Sequence, residues 1–217
     1  MAIILPFNVP PSPQIIEQAL ACVQAGGVLA VPTDSFYALA VGIFQPAALE
    51  QLLAIKGDRA HKPFPVLIGD PSQLDQLVDE VPEVAKKLRQ QFWPGLLTLL
   101  FKAQAHLPPV LISENGSVGV RQPNHSQLCN LLIRTGPLTG TSANRTGQDP
   151  AVTAEEVQHE LGANIDLILD GGQTSGGQPS TVFQIQPELR IIRQGPISLS
   201  AIYEVLKPDI ASRRELT

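Results

Sequence analysis

Nine residues, Thr139-Gly140-Thr141-Ser142-Ala143-Asn144-Arg145-Thr146-Gly147, bring four hydroxyls, a side-chain amide, a guanidinium and two glycines into one stretch. Glycine lets a backbone approach a ligand closely, and small hydroxyl and amide groups bond phosphate oxygens without bulk. An ordinary polar loop of turn formers has the same composition. Three further stretches weigh against that plainer reading: Pro32-Thr33-Asp34-Ser35-Phe36-Tyr37, the segment from Lys56 to Pro63, and Ser180-Thr181-Val182. Lys56, Arg59 and Lys62 fall three residues apart, with His61 beside them and Gly57 and Pro63 as brackets. Three cations on one loop suit a polyphosphate, because point charges and a guanidinium fork neutralise its oxygens. A solvated cluster with an Asp58–Arg59 or Asp58–Lys62 pair is the alternative.

Thr33 and Asp34 follow a buried strand, where α/β sheets place ligand groups, and Tyr37 is positioned to close over a ligand. A turn capped by Asp34 competes with that reading. Arg121 emerges from a core strand, and a cation there needs an anionic partner, either an internal carboxylate or a ligand's. Asp170-Gly171-Gly172 and Gly176-Gly177 read as a flexible turn, since no lysine closes a phosphate loop and no G-x-G-x-x-G follows a strand. G-x-S-x-G is absent, which weakens a serine-hydrolase reading. The histidines read as surface or capping residues, His61 excepted.

The elements that must position these groups alternate irregularly. Ser12-Pro13 opens a helix that Gly26-Gly27 ends, and Val28 to Val31 reads as a buried strand. Helices are expected from Pro46 to Lys56, Gln73 to Val78, Glu83 to Phe92 and Gln127 to Ile133. Another follows the capping box Thr153/Glu156, and a last one runs from Ser198 to Leu206, stopped by Pro208. Strands are expected at Pro65–Ile68, Leu96–Phe101, Gly119–Arg121 and Ile165–Leu169. Thr181–Ile185 and Leu189–Arg193 should pair as a hairpin. Consecutive C-terminal strands require antiparallel pairs, so the expectation is an α/β (α+β-like) domain over residues 1–206. Its twisted, mixed parallel/antiparallel sheet is flanked by helices, and residues 207–217 form a loose tail.

The 217 residues are 43% hydrophobic and 16% charged, with a net charge of −5, which disfavours a protein that grips nucleic acid over its whole surface. Two isolated cysteines and four scattered histidines show no metal-ligand spacing and fit a reducing compartment. No apolar run has the length of a membrane span, so a cytoplasmic protein without a membrane partner is expected.

Taken in order, P-T-D-[ST]-x-Y, K-G-x(n)-K-P, F-W-P-G-x-L-T-L, V-G-V-R-x-P, T-S-A-N-x-[ST]-G, D-G-G, S-T-V and R-x-G-x-I-S resemble the YrdC-like threonylcarbamoyl-AMP synthases, from about Gly26 to Ser200. That resemblance implies a fold with a central ligand cavity and a reaction joining L-threonine, bicarbonate and ATP into threonylcarbamoyl-AMP and pyrophosphate. The product would serve tRNA threonylcarbamoyladenosine modification, with tRNA or the tRNA threonylcarbamoyl transferase machinery as partners. It implies that Lys56 and Arg59 are catalytic and bind ATP with Ser142, Asn144 and Arg193, while Thr33, Arg121 and Ser180 bind threonine. Lys62, Tyr37, Ser117 and Thr141 are further candidates, and Mg2+ would be held mainly by the ATP phosphates. Where the family pattern has K-G-R, this chain has Lys56-Gly57-Asp58 followed by Arg59. Either the loop shifts by one residue to present Arg59 or phosphate binding weakens. The alternative function is an RNA-binding or regulatory nucleotide-binding paralogue without turnover.

Overall fold

Short aliphatic strands dominate this chain, and most are buried on both faces, so the fold must cover each sheet twice. The computed structural model describes residues 1–7, 10–57 and 62–214. Its strands are β1 (Ile3–Pro6), β2 (Leu29–Pro32), β3 (Tyr37–Ala40), β4 (Val66–Leu67), β5 (Leu97–Lys102), β6 (Ser117–Arg121), β7 (Leu138–Thr139), β8 (Thr141–Ser142), β9 (Leu167–Asp170), β10 (Thr181–Gln184) and β11 (Arg190–Arg193). Six α-helices accompany them: α1 (Pro13–Gln24), α2 (Pro46–Lys56), α3 (Glu83–Phe92), α4 (Ser126–Thr135), α5 (Ala154–Leu161) and α6 (Leu199–Arg214).

The strands form two sheets, where the sequence suggested one. The first has the order β1-β9-β2-β3-β8 and the second β11-β10-β5-β6-β4-β7. Both mix parallel and antiparallel pairs, as expected; the predicted C-terminal hairpin is β10 with β11. Alternation along β2 and β3 explains the second sheet. Leu29, Val31, Ala38 and Ala40 face a core cluster shared with α1 and α4. Ala30, Tyr37 and Leu39 face the other cluster, which holds Val66, Leu97, Leu99, Val118, Val120 and Phe183 of the second sheet. Burying each large aliphatic side chain contributes about 1.5–3 kcal/mol, so neither face can be left open.

One glycine makes the passage between sheets. β7 pairs with β4 in the second sheet, and β8, one residue later, pairs with β3 in the first. Gly140 lies between them, and a Cβ there would sit 2.4 Å from Leu67 Cγ. The T-G-T-S-A-N stretch is therefore strand and crossover before it is loop.

Helix ends follow their local chemistry. Ser12 caps α1 by accepting from Ile15 N, and the Thr153/Glu156 capping box starts α5. α2 ends at Gly57, whose φ of 64° needs a glycine and turns the chain away just after Lys56. Two expectations fail. Tyr37 is not on a loop free to close over a ligand, because it begins β3 and is paired with Pro32. Pro208 does not stop α6, which runs on to Arg214.

Candidate functional site

The nine-residue stretch folds around one ammonium group. Lys56, 5% exposed at the end of α2, donates from Nζ to the Ser142 carbonyl (2.8 Å), the Asn144 carbonyl (2.6 Å) and Asn144 Oδ1 (2.7 Å). Ser142 Oγ also donates to Asn144 Oδ1 at 2.7 Å, and Asn144 Nδ2 donates to the Gln148 carbonyl. Thr146 Oγ1 closes the knot by donating to the Lys56 carbonyl at 2.5 Å. Hydrogen bonds with a charged partner are shorter and about twice as strong as neutral ones, so the lysine sets the loop's shape. Thr141 lies buried beneath it in β8, opposite Leu39.

A second group of side chains is set by strand register alone. Thr98 of β5 pairs with Val182 of β10, and Val182 pairs with Arg193 of β11. The Leu99–Val120 pairing between β5 and β6, carried one residue further, puts Arg121 opposite Thr98. One transverse row thus reads Arg121, Thr98, Val182, Arg193, with Ser180 two residues before Val182. Strands are spaced by about 4.8 Å, which puts the two arginine backbones roughly 14 Å apart with their side chains on the same face.

Electrostatics in this row are unbalanced. Arg121, 7% exposed, donates from Nε to the Gly95 carbonyl at 2.8 Å and from Nη2 to Asp34 Oδ1. Burial lowers its pKa, and the charge of Asp34 opposes that shift. Arg193 donates to the Ser180 carbonyl from Nε (3.1 Å) and Nη2 (2.9 Å), and from Nη2 to Ser180 Oγ (3.2 Å). Much of Arg193's area is exposed, yet crowding by neighbouring atoms and then the charge of Arg121 lower its pKa. Among the described residues no carboxylate pairs with Arg193. Two neighbouring guanidiniums have one carboxylate to balance them, and with that one paired to Arg121 they attract a second anion.

The β2–β3 turn joins the two regions. Thr33 Oγ1 donates to the Phe36 carbonyl (2.7 Å) and accepts from Ser35 N (3.1 Å), a turn that presents Asp34 to Arg121. Ser175 Oγ donates to the Asp34 carbonyl at 2.8 Å, and Gly176 N donates to the Ser35 carbonyl at 2.6 Å. The 170–179 segment therefore lies across the turn and is not the free-standing turn its glycines suggested. Gly171 is packed against Pro32, where a Cβ would come within 2.8 Å of Cγ.

Tyr37 is a correction. Its side chain is fully buried, and its hydroxyl donates to the Gly172 carbonyl (2.8 Å) and accepts from Gly171 N (3.2 Å). Burial raises its pKa, and the Gly171 amide only partly offsets this. It is a strut beneath the 170–179 segment and closes over nothing. His125 caps α4, as expected of a capping histidine, with Nδ1 accepting from Leu128 N at 3.2 Å. Its ring stacks on Phe7, and burial lowers its pKa against the pull of Asp34.

The structure thus brings Lys56, Ser142, Asn144 and Thr141 into one knot, and Thr33, Arg121, Ser180 and Arg193 into the row and its turn. Ser117 is not brought there: it starts β6, four residues or about 13 Å from Arg121, in a hydroxyl cluster with Ser113. Lys62 is exposed. Arg59, Asp58 and His61 lie outside the described residues. An internal carboxylate as the partner of Arg121 was one of two readings of the sequence, and the structure shows that carboxylate to be Asp34. Thr98, whose Oγ1 is 2.8 Å from Ser180 Oγ, is the threonine of the F-W-P-G-x-L-T-L stretch but was given no role, because its partners in the row are set only by register. Two surface depressions outlined by the described residues lie elsewhere, one by Lys102, Ser117 and Leu189, the other along α5.

Residues 21–195 match the family model Sua5_yciO_yrdC, described as "Telomere recombination". A threonylcarbamoyl-AMP synthase of Bacillus subtilis is 35% identical over 196 residues, 89% of this chain and 57% of that one. One from Photobacterium profundum is 30% identical over 183 residues, 83% of this chain and 98% of its own. P. abyssi Sua5 complexed with L-threonine superimposes with a TM-score of 0.89 at 29% identity, covering 94% of this chain and 61% of that one. E. coli YciO does so at 0.83 and 29% identity, covering 93% of this chain and all of its own.

Proposed function

The chain belongs to the Sua5/YciO/YrdC family, and on that footing we propose that it makes threonylcarbamoyl-AMP and pyrophosphate from L-threonine, bicarbonate and ATP. One observation carries this reading: Arg193 feels the charge of Arg121 and bonds Ser180, while the one carboxylate of the row, Asp34, is paired with Arg121, so the row calls for an anionic ligand. The carboxylate of threonine supplies that charge, and a family member complexed with L-threonine supports it. The threonine amine adds to the bicarbonate carbon, water leaves, and a carbamate oxygen then attacks the α-phosphorus. The bond to the β-phosphate bridging oxygen breaks and pyrophosphate departs.

Such a reaction needs position and neutralised charge more than a nucleophilic side chain. The Lys56 knot, with Ser142 and Asn144, would face the phosphates together with Arg59, and the ligand space would be a central cavity between the knot and the row. MgATP is the form of the nucleotide we propose. Among the described residues no three His, Cys, Asp or Glu side chains gather to cage a metal, so the phosphates would carry the ion. The product would pass to a transferase that modifies tRNA in the cytoplasm. No described helix is long and apolar enough to cross a membrane.

Pyrophosphate release from ATP tests the reading. Threonine and bicarbonate together should stimulate it, and serine should do so only several-fold less well, because one methyl contributes about 1 kcal/mol. Nucleotide binding with equal release in the presence and absence of amino acid would leave a regulatory paralogue instead. Arg59→Ala should reduce turnover nearly as much as removal of Lys56, and Asp58→Ala should be neutral. An unchanged Arg59→Ala enzyme would remove that arginine from the phosphate site.

A further inference from the structure

The hydroxyl pair at the centre of the row, Thr98 and Ser180, can run in either direction, and proton counting shows what would fix it. Ser180 Oγ has two lone pairs and one hydrogen. One lone pair receives Arg193 Nη2 at 3.2 Å, and Thr98 Oγ1 lies 2.8 Å away. Thr98 is 3% exposed, and among the described residues Ser180 Oγ is the one acceptor within reach of its hydroxyl hydrogen. Ser180 is itself 5% exposed, so in the protein alone one of the two buried hydrogens goes unpaired whichever way the bond runs. Arg193 marks Ser180 as the side an anion would approach. With an acceptor there, Ser180 donates outward, Thr98 donates to Ser180, and both hydrogens are paired.

Packing holds Thr98 in the rotamer this requires. A β-branched side chain has one strongly preferred χ1 in a given setting. The Thr98 methyl overlies the bare backbone of Gly119 in β6, where an added Cβ would lie 3.4 Å from Thr98 Cγ2 and 3.2 Å from Leu100 Cδ2. With the methyl directed at β6, the hydroxyl is directed at β10 and Ser180. Gly119 thus makes room for the methyl, and the methyl sets the hydroxyl.

We infer that Thr98 is a positioning residue that makes Ser180 an obligate hydrogen-bond donor to the carboxylate of the amino-acid substrate. The inference rests on the threonine-dependent reaction proposed above. An oxygen anion at that point is welcomed by Ser180 O–H and the Arg193 guanidinium, with the charge of Arg121 nearby, whereas a ligand presenting an N–H there meets only donors. The row therefore selects for a free carboxylate and against its amide.

The test compares Thr98→Val, which keeps the shape and removes the donor, with Thr98→Ser, which keeps the donor. Pyrophosphate release is read against threonine, threoninamide and ATP concentration. Loss of one hydrogen bond should raise the KM for threonine about three- to tenfold in Thr98→Val, with kcat and the KM for ATP within about twofold. Thr98→Ser should stay within about threefold of the parent. Freed of Thr98, the Ser180 hydroxyl can turn to accept, so the preference for threonine over threoninamide should narrow in Thr98→Val. Thr98 acts through Ser180, so Thr98→Val/Ser180→Ala should bind threonine no worse than Ser180→Ala alone. A purely structural role would lower the melting temperature but leave the KM ratio and this coupling untouched. Should Thr98→Val fail to fold, Thr98→Cys, whose thiol donates weakly, should give an intermediate KM. An unchanged threonine KM in the Val or Cys variant, or additive effects in the double variant, overturns the inference. A parent enzyme without threonine-dependent release overturns the function itself, and this inference with it.

Discussion

The Lys56 knot and the Arg121–Arg193 row are two ways of building a polar site. In the knot one cation gathers carbonyls from residues far along the chain, and the loop takes its shape from side-chain-to-backbone bonds. In the row the backbone is set by the sheet ladder, and the arginines only bond to carbonyls already in place. Four strands bring Arg121, Thr98, Val182 and Arg193 into line, and the side chains meet because the ladder is in register. The knot stands or falls with a single residue, while the row can lose a side chain and keep its frame. A site that must grip a large, mobile triphosphate and also discriminate a small amino acid has reason to use both.

That contrast breaks most readily at Lys56. Lys56→Ala removes three hydrogen bonds with a charged donor, each contributing about 1.5–3 kcal/mol, and turnover should fall roughly a hundredfold or more. The loss should fall on ATP, measured as KM and as nucleotide affinity, with threonine affinity little changed. Arg121→Lys is the reciprocal probe. It keeps a positive charge beside Asp34 but loses the fork, so the threonine KM should rise about tenfold while that for ATP holds. If each variant damaged the other's ligand, the division of labour drawn here would be wrong.

Gly140→Ala sharpens the comparison from the side of stability, because it strikes the crossover between the two sheets. Its Cβ would collide with Leu67, and an overpacked site of this kind costs about 1–3 kcal/mol, read as a loss of a few degrees in thermal melting. The smallest effect concerns His125. Burial lowers its pKa from the ordinary 6.5, so the unfolded chain takes up the proton before the folded one does. Its contribution to stability is present above about pH 6.5 and is lost as pH falls through the lowered value, since a protonated Nδ1 can no longer accept from Leu128 N. Melting curves of the parent and His125→Asn, compared between pH 7.5 and pH 5, should converge on the acid side.

Loop chemistry could be read from the sequence and the row could not. Ser142, Asn144 and Lys56 announce themselves because glycine, hydroxyl and cation cluster locally, and helix ends were legible from Ser12, Gly57 and the Thr153/Glu156 box. Register is not written locally. Thr98 and Arg193 share a row only because β5 is flanked by β6 and β10, a pairing decided by the whole core. The same limit hid the second sheet: β7 and β8 are two residues each, too short for any periodicity to show. Tyr37 was misplaced for a related reason. An aromatic after a turn looks like a lid, and only the pairing of Pro32 with Tyr37 shows it to be the first residue of a buried strand.

The first strand has to wait for its partner. Ile3 to Pro6 hydrogen-bond along Leu167 to Asp170, near the other end of the chain. A ribosome delivering about 5–20 residues per second reaches that partner roughly ten to thirty seconds after the first strand is made. Through that interval the backbone edge of β1 lacks its partner, while Ile3 and Ile4 are 64% and 43% exposed even in the folded chain. The pairing of β1 with β9 is therefore a late event of synthesis, and until it forms an edge of the first sheet is open to other strands.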